Sequence, residues 1–88
     1  MTDEDQVRTP DLFFTAYLLN NDLPILDIQL EERIKKKIVF VFPRNQRLDI
    51  LKEQYKQGLA QANLLEFKKN YQHVQDLFYD AKRQHQML

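Results

Sequence analysis

The sequence predicts an α+β domain in the order α-β-β-α-α, an antiparallel hairpin packed against helices and closed by a long C-terminal helix. Three observations carry this. KKIVFVF (36–42) is β-branched and aromatic, with Ile38, Phe40 and Phe42 on one face and Val39 and Val41 on the other. ILDIQL before it alternates, Leu26, Ile28 and Leu30 against Asp27 and Gln29, the period of a half-buried strand. Phe67, Tyr71, Val74, Leu77, Phe78 and Ala81 then form one stripe at helical spacing.

Residues 1–8 read as a disordered tail, with 9–86 as the folded part of a single domain. In T-P-D, Thr9 suits an N-cap, Pro10 the first helical position and Asp11 the positive end of the helix dipole. The helix that follows, LFFTAYLLN, is apolar nearly all round, which predicts cover on most faces. Asn20, Asn21 and Asp22 end it. The second strand, apolar on both faces, is expected to be central or covered twice, and Pro43 stops it. Asn45 caps a second helix carrying Leu48, Leu51 and Tyr55, and Gly58 fits its left-handed C-terminal residue. Leu59–Ala62 is a candidate short third strand. Asn63 and Glu66 make a capping box for the last helix. Two strands alone are marginal, so the helices must cover the sheet.

The chain has 88 residues, the size of one domain with one small core. Its apolar fraction is 43%, with six Phe and four Tyr, enough bulk to argue against disorder. With no cysteine, disulfides and thiolate metal sites are excluded. The N-terminus MTDEDQVRTP has neither the basic nor the apolar region of a secretory signal. The longest apolar run, Ile38–Phe42, is far short of the roughly 20 residues that span a bilayer. The expectation is a cytoplasmic protein with no membrane contact. Net charge is zero, but residues 1–32 hold eight acids and one base, and residues 33–88 hold twelve bases and five acids, −7 against +7. Such asymmetry points either to a polyanion partner or to mutual attraction of the halves within the fold.

T-P-D-L-F-x-x-A-Y-L-L at 9–19, V-F-V-F-P at 39–43 and A-N-L-L-E-F at 62–67 resemble a family of short prokaryotic and phage-associated domains of unknown function. The resemblance covers roughly residues 9–80. It implies a compact α+β domain and supplies no activity, ligand or site residue.

The chemistry open to the chain is narrow. Without Ser or Cys it lacks the two commonest side-chain nucleophiles, leaving Thr2, Thr9 and Thr15. One glycine cannot build a phosphate-cradling loop. His73 and His85 are too far apart for a helical zinc pair. His73, Asp76 and Asp80 share a helical face, as a loose hydrated cation site or as a solvated ion pair. The carboxylate pairs Glu31–Glu32 and Asp3–Asp5 fall in a turn and the tail, where nothing sets their pKa values apart. The expectation is no enzyme and no cofactor.

Two functions remain. One is a protein-interaction module, self-associating or binding another protein through the stripe Phe67, Tyr71, Val74, Phe78 and Ala81 or through the sheet edge. The other is sequence-independent nucleic-acid binding by Arg33, Lys35, Lys36, Lys37, Arg44 and Arg47, with residues 33–56 carrying eight bases against Asp49 and Glu53, +6. At about 3.3 Å per residue, the lysines and the two arginines lie at opposite ends of the second strand, about 20 Å apart.

Overall fold

The computed structural model describes residues 5–85 and gives the order β1 (Gln6–Thr9), α1 (Leu12–Asn20), β2 (Asp27–Glu31), β3 (Lys37–Pro43), α2 (Gln46–Lys56) and α3 (Leu64–Gln84). The class is α+β, with one strand more than the hairpin. The sheet is antiparallel throughout and runs β1-β3-β2. Thr2, the first four residues of the expected tail and the end of the folded part at 86 lie outside the described residues.

β3 takes the centre because both its faces are apolar. All five residues from Ile38 to Phe42 are buried. Phe40 and Phe42 sit opposite Val7, Thr9 and Ile28 on the face under the helices, where Leu18, Leu48 and Val74 complete the core. Val39 and Val41 point the other way and take no part in the core cluster under the helices. Their register partners are Arg8, Asp27 and Gln29. Arg8 Nε donates to Gln29 Oε1 at 3.3 Å, so a polar bridge from β1 to β2 passes over β3. Long side chains laid across the sheet thus cover the valines. Val41 is fully buried beneath them.

The expected tail is corrected at its end: Gln6–Thr9 pairs with Phe40–Pro43 as β1, and the main-chain N–H of Arg44 donates to Asp5 O. The backbone N–H and C=O groups of a buried strand need hydrogen-bonding partners on both of its edges. The third strand is therefore at the N-terminus, not at Leu59–Ala62, which carries no strand. Thr9 belongs to β1, and Asp11 is the N-cap of α1, its Oδ1 accepting from the N–H of Phe14 at 3.0 Å. Leu26 keeps a ladder bond to Val41 O, but its side chain is exposed rather than sharing the face of Ile28 and Leu30.

Both short helices stop the same way. After α2, Gly58 lies in the left-handed region (φ +73°), with Gly58 N–H on Tyr55 O and Leu59 N–H on Gln54 O. After α1, Asp22 takes that place (φ 65°), with bonds from Asp22 to Leu19 O and from Leu23 to Leu18 O. This is the Schellman closure, and buried Leu23 and Leu18 supply its apolar contact. α1 buries Phe14 to Leu18 consecutively, as its all-round apolar sequence requires. Along α3, 21 residues rising 1.5 Å each reach about 30 Å, close to the 35 Å long dimension of the molecule.

Candidate functional site

The stripe on α3 is turned inward. Val74 and Ala81 are buried, and Phe67, Tyr71 and Phe78 pack half-buried against the same core. Two of the five stripe residues are therefore unable to meet a partner. The ring of Phe13 on α1 stacks on Tyr71 at 4.6 Å and lies parallel to Phe67 at 6.2 Å, which locks α1 to α3. Asn70 Nδ2 adds a bond to Asn20 Oδ1 at 2.9 Å.

What stays open lies beside the stripe. A groove of about 670 Å³ is lined by Phe13, Tyr17, Tyr55, Ala60, Gln61, Ala62, Leu64 and Phe67. It forms because α2 stops at Gly58 and the chain crosses to α3 without regular structure, holding α2 and α3 apart over α1. Two of its apolar residues are well exposed, Phe13 at 53% and Leu64 at 85%, and Leu59, next to Ala60 in sequence, is 62% exposed. Both of its tyrosine hydroxyls are already engaged. Tyr55 Oη donates to Asp11 Oδ2 at 2.9 Å, and Tyr17 Oη donates to Gln54 Oε1 at 3.4 Å. Burial first, then the hydrogen bond to Asp11 and its negative charge, push the Tyr55 phenol up to about 12. The phenol is neutral at ordinary pH.

The basic residues divide as expected. Arg33, Lys35 and Lys36 occupy the β2–β3 turn, all exposed. Lys37 opens β3 and pairs with Glu31 at 3.6 Å. Arg44 and Arg47 follow β3 at its far end, both exposed. The surprise in the turn is Ile34, 99% exposed between those cations.

Among the described residues no three His, Asp or Glu side chains converge on a metal-sized site. Asp80 is held instead by Arg83 one turn on, and His85 is the C-cap of α3. Among the described residues no helix is long and apolar enough to cross a membrane.

Sequence reasoning missed the groove because its walls are residues such as Ala60, Ala62 and Leu64, which no periodicity marks. The one available signal was LL in A-N-L-L-E. Two leucines in a first helical turn cannot both face the core.

No curated protein and no solved structure matches the chain. The model of a domain of unknown function, DUF5659, matches residues 4–80, and the chain belongs to that family.

Proposed function

We propose that the protein is a small non-catalytic interaction module that pairs with a second copy of itself through the groove and its leucine rim. The observation that supports this reading is the exposure of Leu64, 85%, on the wall of an apolar groove. A projecting apolar side chain and a concave apolar surface on the same face are what a two-fold interface needs, since each copy must supply both knob and hole. A standard interface takes about 800 Å² from each partner, roughly one-eighth of this chain's 6321 Å² surface. The groove alone is too small for that, so the contact extends over Leu59 and Leu65, both more than 60% exposed. The stripe on α3 takes part only through Phe67.

Sedimentation equilibrium from low to high micromolar protein tests it. The parent should move from monomer to dimer. Leu64→Glu sets a charge at the interface while changing a side chain that is solvated in the monomer, so it should remain monomeric with an unchanged melting temperature. A parent that stays monomeric at the highest concentration, or a Leu64→Glu variant that dimerises like the parent, overturns the reading.

A further inference from the structure

We propose that the tip of the β2–β3 hairpin is a nucleic-acid docking finger: Arg33, Lys35 and Lys36 hold backbone phosphates while Ile34 wedges against a base step. The finger shares no residue with the groove and does not depend on self-association.

Ile34 is the most exposed large apolar residue among those described, at 99%, and it packs against nothing in its own chain. Turn chemistry does not account for it. A turn of this kind favours Gly, Asn, Asp or Pro, and residues 32–36 are Glu-Arg-Ile-Lys-Lys. Solubility does not account for it either, because it explains the cations and is opposed by the isoleucine. Among the described residues Arg33, Lys35 and Lys36 have no ion pair or side-chain hydrogen bond, whereas Lys37 is occupied by Glu31. The apex therefore presents three uncommitted cations around one apolar knob.

Two polyanionic surfaces offer both charge and an apolar slot, a duplex and an anionic bilayer. The duplex fits better. Proteins that deform DNA use one apolar side chain per base step, with Arg and Lys on the flanking phosphates, and a two-stranded ribbon is narrow enough to reach into a groove. A bilayer asks for more apolar surface than one isoleucine: even a whole acyl chain gives only marginal anchoring. Nothing at the tip reads base edges, so binding is independent of sequence. Arg44 and Arg47, at the other end of β3, lie outside the finger.

Titration of a short fluorescent duplex over a range of salt, with the full chain, tests this. Three phosphate contacts set a log–log salt slope of about −2.7. Arg33→Gln/Lys35→Gln/Lys36→Gln should lose binding. Ile34→Ala should weaken it about tenfold at every salt concentration with the slope unchanged, because the wedge contributes apolar contact and no counterion release. A base analogue in the duplex should brighten on binding to the parent and not to Ile34→Ala. Arg44→Gln/Arg47→Gln should bind like the parent. Every substituted side chain is exposed, and unchanged circular dichroism checks the fold. The proposal fails if the parent shows no binding in low salt or if Ile34→Ala binds as the parent does. It fails equally if Arg44→Gln/Arg47→Gln removes binding, or if the parent binds anionic vesicles and not the duplex.

Discussion

Asp11 joins three elements through four groups. Its N–H donates to Thr9 Oγ1 at the end of β1, its Oδ1 caps α1 through Phe14 N–H, and its carbonyl accepts from the N–H and hydroxyl of Thr15. Its Oδ2 accepts from Tyr55 Oη on α2. Asp11→Ala removes a helix cap and a charge-assisted bond together and should cost about 2 kcal/mol, the low end of their sum because the site is only part-buried. Asp11→Asn keeps a capping oxygen and should cost less. The Tyr55 phenol carries a pH signature. Its folded value, raised to about 12 from an ordinary 10, means that the protonated form is the one the fold favours. That stabilisation is whole below about pH 10 and is lost as the pH rises towards 12. Absorbance titration should show a late phenol step near pH 12, and Tyr55→Phe should remove that step. If the late step survives in Tyr55→Phe, the assignment is wrong.

Among the elements, legibility followed how much of the signal was local. β3 was readable because five apolar residues before a proline admit few alternatives. α3 was readable because its stripe, Phe67 to Ala81, repeats over about four turns. β1 was not: Gln-Val-Arg-Thr is too short to show a period, and it is a strand because Phe40 and Phe42 need an edge partner, a demand that arises far away in sequence. The same reasoning explains the error at Leu59–Ala62, where a short apolar segment resembles a strand but both edges of β3 are already taken by β1 and β2. The stripe on α3 was legible as a stripe. Whether it faced a partner or the chain's own core depended on where Phe13 falls in α1, which helical spacing alone does not give. The stop of α2, by contrast, was written in one residue. Gly58→Ala meets no atom within 4 Å but must hold a left-handed backbone, so it should cost about 1–2 kcal/mol through strain alone. A thermal melt reads this directly. An unchanged midpoint means that the closure after α2 has relaxed into another turn, and the groove wall at Ala60–Leu64 should move with it.

At the scale of the whole molecule, the sheet has no spare strand. Two of its three strands are edges, and the central one is apolar on both faces. β1 covers one edge of β3 over four residue pairs, buries Val7 at 6% exposure, and contributes Arg8 to the bridge over Val39 and Val41. By composition alone, residues 1–8 look expendable. The fold says otherwise, and a chain beginning at Pro10 separates the two views. It loses the burial of Val7, worth about 1.5–3 kcal/mol, together with one side of the β3 ladder. That is a large part of the 5–15 kcal/mol that holds a domain of this kind together. It also uncovers a long, flat, apolar edge, the feature most prone to pair with other chains. The truncated chain should therefore show more than a lower melting temperature. It should elute from gel filtration partly as large aggregates, with the proportion rising with concentration, and its remaining monomer should melt well below the parent. A soluble monomer melting within a few degrees of the parent would mean that the helices alone protect β3 and that β1 is an ornament on the fold.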